Sequence, residues 1–441
     1  MPHRPLALVP AARRPAPRLA VAAAVLGLAS VLRGAPAADA APALPVVEVV
    51  PFDGPTVSGP LAAVTATEVR LEGRAEALDL DGVREVRFPG AAAPAAAAAG
   101  EGTPVRVALR GEELIVGRVV GADDVGVDVA APGLDRLRLV FDVVRRIEAD
   151  PPGRAPCDRT ALQNAPRPNA DVAYTRAGDA YAGTLEGATT EGLVVDGGGT
   201  KSTVRWGDLA VLHVDEPPLP PPSGRTAELE TKGGTRLPAT AATFDGATWT
   251  LKTASGLDVR VPTAATQVVR FAGGRFVHAS RLPFTNRFTP RHEDELLPEQ
   301  YHAPWYAATA DRTVYGCPLR VAGVTYRHGL GVHAKSVVTL PLGKKYVRLV
   351  GKFGVDDNDE TSRDVQPPPE RLRGDVTARI VADGREVWSS NGSVKWGQPA
   401  RVLPSIDVTG VETVLLEVDF GAEDDINDFA DWVDLALERA R

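Results

Sequence analysis

Val105-Arg106-Val107-Ala108-Leu109, Leu114-Ile115-Val116-Gly117-Arg118-Val119-Val120, Val125-Gly126-Val127-Asp128-Val129, Leu137-Arg138-Leu139-Val140-Phe141 and Val143-Val144-Arg145-Arg146-Ile147 follow one another closely in the chain. Apolar and polar residues alternate with a period of two, and short polar turns interrupt the runs. That pattern predicts antiparallel strands closing into a small barrel.

The same order of segments recurs three more times. Val172-Ala173-Tyr174, Tyr181 to Leu185, Leu193 to Asp196, Thr203 to Trp206 and Leu209 to Val214 form the third copy. A first copy runs from Val46 to Phe88, with Gly59 near the start of its second strand, and a fourth from about Ala227 to Phe271. Pro238 in the fourth copy sits where the others carry Gly, which puts its second strand in question because Pro cannot donate to a ladder. Five strands in so few residues resemble the SH3-like or Sm-like barrel, a likeness of pattern that says little about function. One such unit buries too little to be very stable alone, so neighbouring units are expected to pack together or close as pairs.

These readings give an all-β chain: tandem small SH3-like barrels followed by a C-terminal jelly-roll-like β-sandwich. The expected divisions are 45–90, 104–150, 171–216 and 225–274 for the barrels, 275–311 for a packed linker and 312–441 for the sandwich. Ala/Pro- and Pro-rich tracts such as Ala91 to Ala99, Pro151 to Pro168 and Pro217 to Pro222 are semi-rigid spacers. The stretch from Arg275 to Asp311, with Phe284, Phe288, Trp305 and Tyr306, should lie along a domain face, since large apolar side chains are mostly buried.

At 441 residues the chain is too long for one core. Its net charge of −8 and the lack of a basic face argue against a nucleic-acid partner. Residues 1–40 read as a signal peptide: Arg13, Arg14 and Arg18 precede the apolar run Leu19 to Leu32, and Ala38-Asp39-Ala40 offers a cleavage site. The run is shorter than the ~20 residues of a membrane-spanning helix, so no span is expected after cleavage. Export to a periplasmic, cell-surface or secreted location follows. Cys157 and Cys317 are the only cysteines. In an oxidising compartment they can pair, and two separate buried thiols are the alternative.

The C-terminal block again alternates, in Lys345 to Val355, Val376 to Ala382 and Val414 to Phe420, with Asp383-Gly384 as a hairpin turn. Its motifs are Gly316-Cys317-Pro318-Leu319, Tyr326-Arg327-His328-Gly329-Leu330-Gly331-Val332-His333-Ala334, Gly354-Val355-Asp356-Asp357 and Asp431-Trp432-Val433-Asp434. In order and content these resemble the NPCBM family of carbohydrate-binding modules. One departure is the polar insertion Asn358 to Arg373 with its three prolines. The resemblance implies a sandwich whose rim binds glycan. His333, Asp356, Asp357, Asp431 and Trp432 supply hydroxyl-pairing and aromatic groups of the kind sugar recognition uses, and Trp396 on a loop is the stacking candidate. Structural alternatives stand beside these: Gly329 and Gly331 as turn formers, His333 as a strand cap, Trp432 as core, and Asp356 and Asp357 as turn residues. The acidic stretch Glu423 to Asp428, with Asp424, Asp425 and Asp428, suits a structural Ca²⁺ or is a solvated loop.

No βα barrel, Gly-x-Ser-x-Gly or His-Glu-x-x-His pattern occurs. The expectation is a non-catalytic, exported glycan-binding protein whose barrels act as spacers or bind other envelope proteins. A divergent glycoside hydrolase, or an accessory subunit of one, is the alternative, and a protein-binding envelope scaffold is the third reading.

Overall fold

The structure, a computed structural model, describes residues 43–89, 101–149, 166–220, 222, 224–289, 306–358, 373–422 and 427–440. Each repeat supplies five strands. In the second these are Thr103–Leu109, Leu114–Ala122, Gly126–Ala130, Leu137–Val140 and Val144–Ala149. The first four strands pair antiparallel in succession, and the fifth returns to the first, as in Ile147↔Val107 and Val86↔Val49. The alternating apolar residues fill the interior: Val105, Val107, Ile115, Val127, Val129, Leu139 and Ile147 are all buried. Gly117 lies inside its strand, where a Cβ would come within 2.5 Å of the Ala130 carbonyl oxygen.

The second strand of the fourth copy, Arg236–Phe244, forms straight through Pro238. The Thr231 amide donates to the Thr235 carbonyl, so by alternation Glu228↔Pro238 is a non-hydrogen-bonded pair. On its other side the pairing begins only at Ala239. The missing N–H therefore costs no ladder bond, and the residue in register with Gly59 and Gly117 is Ala239 rather than Pro238.

The repeats do pair, in a nested order. Copies one and four join through their fifth strands, with Val86↔Val269 at the centre of the contact. Copies two and three join in the same way around Ile147↔Leu212. The two pairs meet at Arg236↔Leu114 and through the fully buried Glu113, whose carboxylate accepts from the Ser255 amide and hydroxyl at 2.9 and 2.7 Å. One continuous hydrophobic cluster runs through all four copies.

The C-terminal part is a sandwich of two antiparallel sheets of seven and six strands. One sheet centres on Phe429–Arg439, flanked by Gly329–His333 and Tyr346–Val355, and the other on Thr413–Phe420. Between them lie Leu330, Val338, Leu349, Phe353, Ile380, Leu416 and Trp432. The Asp383-Gly384 turn has φ of 44° and 81°, as a two-residue hairpin with positive φ at both positions requires. The stretch read as a packed linker is part of this sandwich. Phe276–His278 pairs with the Phe429–Arg439 strand and Thr285–Phe288 with Ser336–Pro341, one in each sheet. The sandwich thus begins directly after the fourth barrel, and Leu44–Arg441 forms one compact unit.

Candidate functional site

The motifs of the C-terminal block converge on three adjacent strands. Asp431 stands opposite Gly331 on one side and Gly354 on the other, and Gly329 stands opposite Val433. This arrangement seats a short hairpin, Leu319–Val321 paired with Val324–Tyr326. Its Leu319 and Val321 are buried against Val433. A Cβ on Gly329 would meet Leu319 Cδ1 at 2.8 Å, and one on Gly354 would meet Val321 Cγ1 at 2.3 Å. These glycines form no turn: they clear the ground on which the hairpin rests.

The carboxylates fasten it. The Arg320 amide donates to Asp431 at 3.1 Å and to Asp356 at 3.3 Å. The Gly323 amide donates to Asp357 at 2.5 Å, and Asn358 caps Asp356 through its backbone and side-chain nitrogens. Burial raises the Asp356 carboxyl above its ordinary range, and its hydrogen bond to Asp431 pulls the other way. A proton shared by two buried carboxylates fits that arrangement.

Asp356, Asp357 and Asp431 were expected at an open rim, and all three are buried. The reason is geometric: Asp431 and the residues just after Val355 lie beneath the hairpin and meet its backbone amides. Trp432 is fully buried between the sheets, 4.5 Å from the Phe353 ring centroid and 5.8 Å from that of Trp388. His333 is enclosed by Tyr306, Phe429 and Phe288, with ring centroids at 4.6, 4.7 and 5.9 Å. Of the residues read as sugar-binding, Trp396 alone keeps a substantial exposed surface. It packs on the sandwich core, with the Arg373 guanidinium over its ring, 5.2 Å from the centroid.

Asp428 is fully buried and accepts from the Asp375 amide at 2.9 Å, so one of its oxygens is already engaged by the backbone. Asp424 and Asp425 lie outside the described residues. Among the described residues no group of three His, Cys, Asp or Glu side chains is placed to hold a metal ion. Cys317 is disulfide-bonded; the chain's other cysteine, Cys157, lies outside the described residues. No helix among them is long and apolar enough to cross a membrane.

The hairpin's second strand, Val324–Tyr326, forms one wall of an open cleft of about 340 Å³, between the sandwich and the fifth strands of copies one and four. Glu85, Arg87 and Arg270 come from the barrels, Tyr326, Lys352 and Asp434 from the sandwich. The seam behind it is charged. Arg327 grips Glu228 through two nitrogens at 2.8 and 3.0 Å, and Arg84 meets Asp434 at 3.2 Å. Burial alone would raise the Glu228 carboxyl, but the Arg327 charge and hydrogen bonds outweigh it and hold the group at about 2. None of the barrel residues here was read as functional from sequence. Their polarity is ordinary for an outward-facing strand position, and no local pattern tells which other strand they will face.

Comparison with known proteins bears on the C-terminal part of the chain. Residues 292–438 match the NPCBM/NEW2 domain family. Alpha-1,3-galactosidase B of Akkermansia muciniphila is 32% identical over 130 residues, which is 29% of this chain and 15% of that enzyme. The chain therefore matches only a small part of that relative's length. Among solved structures, a CBM51 module of Clostridium perfringens GH95, in complex with methyl-galactose, aligns at a TM-score of 0.28 and 20% identity, over 37% of this chain and 99% of that one. The tandem CBM51 modules of a family 98 glycoside hydrolase from Streptococcus pneumoniae align at 0.29 and 13%, over 49% and 71%.

Proposed function

We propose that this protein is an exported, non-catalytic glycan-binding protein whose barrels carry and space a C-terminal binding sandwich. The observation that carries the proposal is the coincidence of the NPCBM/NEW2 match with the two-sheet sandwich. Export draws support from the basic and apolar N-terminal run and from the disulfide-bonded state of Cys317, which belongs to an oxidising compartment. The barrels favour a spacing role, because their own Val, Leu and Ile side chains fill their interiors.

Trp396 is the platform in this reading. Its half-buried indole is the apolar group for the C–H side of a pyranose, and the Arg373 guanidinium over the ring supplies donors. The buried carboxylates act one step back, by fixing the strands and hairpin beneath.

The test is a glycan array probed with the full-length chain, followed by titration of any hit against Trp396→Ala. Galactose-terminated glycans come first, given the galactosidase relative. Binding that falls by about tenfold or more in the variant supports the platform, at the upper part of what removing one aromatic contact gives. Parallel measurements in Ca²⁺ and in chelator examine the acidic stretch around Asp428. Release of reducing ends by the full chain would replace the binding protein with a hydrolase.

A further inference from the structure

The cleft between the outer barrel pair and the sandwich belongs to neither domain alone, and the Trp396 surface lies elsewhere. Trp396 follows Val394–Lys395, which pairs in the sheet opposite the one carrying Lys352 and Asp434. The cleft therefore needs its own explanation.

Its charges argue against an anionic ligand. Every cationic head lining it already has a carboxylate. Arg87 pairs with Glu85, Arg270 with Glu230 at 2.7 Å, Arg327 with Glu228 at 2.8 Å, and Lys352 with Asp434 at 3.1 Å. No surplus positive charge is left for a phosphate, sulfate or carboxylate ligand, which would have to displace one of these pairs. Hydrogen-bonding capacity remains nevertheless. Arg87 makes its ion pair through a single nitrogen and its side chain is 46% exposed. Among the described residues the Glu48 and Gln267 side chains and the Tyr326 hydroxyl make no hydrogen bond, and all three residues line the cleft. Beside them stand apolar surfaces: Val324 is 52% exposed, and the Tyr326 ring carries Lys352 at 4.9 Å.

The lack of a spare cation, the free donors and acceptors (the Glu48 carboxylate among them) and the small apolar faces together suit a neutral polyhydroxyl ring, whose hydroxyls bond while its C–H face packs. The volume sits at the lower end of the ~300–1,000 Å³ of small-molecule sites. The wall is also preorganised, since Asp356, Asp357 and Asp431 pin the backbone of the hairpin that bears Val324 and Tyr326.

We propose that this cleft is a second saccharide site, built jointly by barrels and sandwich and taking a neutral mono- or disaccharide unit between Arg87, Gln267 and Glu48 on one side and Val324 and Tyr326 on the other. The proposal rests on the reading that the chain binds glycan, and it adds a site that an isolated sandwich would lack.

Galactose, N-acetylglucosamine and N-acetyllactosamine are titrated into the full-length chain, with galacturonate and inorganic phosphate as anionic probes. The wild type is compared with Trp396→Ala and with that variant carrying Arg87→Ala, Gln267→Ala or Tyr326→Ala. Arg87 and Gln267 are surface positions, so these variants keep the fold even where Tyr326→Ala does not. The expected result is residual binding of a neutral sugar in Trp396→Ala that weakens tenfold or more with each cleft substitution. Complete loss of binding in Trp396→Ala, or residual binding untouched by the cleft substitutions, overturns the second site and leaves glycan binding intact. Preference for galacturonate or phosphate overturns the ligand class. A wild-type chain that takes none of the neutral sugars, on the array or in titration, removes the glycan reading itself.

Discussion

Two seams hold this molecule together, and they use different chemistry. Between barrels the joint is backbone: fifth strands lie side by side in Val86↔Val269 and Ile147↔Leu212, and buried aliphatic side chains flank them. Between the barrels and the sandwich the joint is largely side chain. Glu228 with Arg327, Arg84 with Asp434 and Asp53 with Arg348 cross it, around the stacked rings of Phe52 and Phe276 at 4.2 Å. A ladder of amides is indifferent to pH and salt over the ordinary range. A buried ion pair is not, because each charge depends on the other for its solvation. The seam that borders the cleft is therefore the one that conditions can loosen.

The sharpest way to break this contrast is Arg327→Ala. It leaves Glu228 buried without its bidentate partner, and chemical denaturation should show a loss of about 3–5 kcal/mol. A change under 1 kcal/mol would mean that the charged seam contributes no more than an exposed pair.

Acidification comes next. Glu228 sits at about 2 in the folded chain, against an ordinary 4.5. The unfolded chain thus takes up the proton first as pH falls, and stability drops through the window from about 4.5 to 2. The difference is worth about 3 kcal/mol. His278 adds to this at higher pH. It is buried at the same seam, stacked 4.0 Å from His328, and burial, with His328 second, pushes its pKa well below 6.5. A base with a lowered folded pKa is protonated more readily when unfolded, so its cost starts as pH falls below about 6.5. Thermal unfolding followed from pH 7.5 to 3 should therefore show a first decline near 6 that is missing in His278→Gln.

The smallest effect sharpens the other half of the comparison. Val86→Ala removes two methyl-sized groups from the barrel ladder and should cost about 1.5–2 kcal/mol, by roughly 0.8 kcal/mol per buried carbon. That loss should be the same at pH 5 and pH 7.5 and at low and high salt. Dependence on either would show that the barrel seam also leans on charges such as Glu85 opposite Arg270.

Much of this fold is legible in the sequence because alternation is a local signal. The four repeats, the five strands of each, the Asp383-Gly384 hairpin and the two-sheet sandwich all follow from which residues point the same way along a strand. The site was harder. His333, Asp356, Asp357, Asp431 and Trp432 have the chemistry of a sugar site, but all five are buried: the carboxylates bond the backbone of the Leu319–Tyr326 hairpin, Trp432 lies between the sheets and His333 is enclosed by aromatic rings. A polar residue on an outward face looks the same in sequence whether water or another hairpin lies above it. Gly329 and Gly354 held the clue. Two glycines on the two strands that flank Phe429–Arg439 mark close approach of something overhead, which at Gly329 is a better reading than a turn.

Strand content, repeat number and the family likeness of the last third were thus set by residue order alone, since period-two patterning and motif spacing act over a few residues. Which barrels pair, where the sandwich starts, and which polar groups end in a cleft rather than under a hairpin were decided only in three dimensions. The physical reason is that an alternating strand fixes the face it buries but leaves its edges open to any partner. The edge contact between Val86 and Val269, or the grip of Arg327 on Glu228, joins residues about a hundred or more positions apart, whose meeting no local preference encodes.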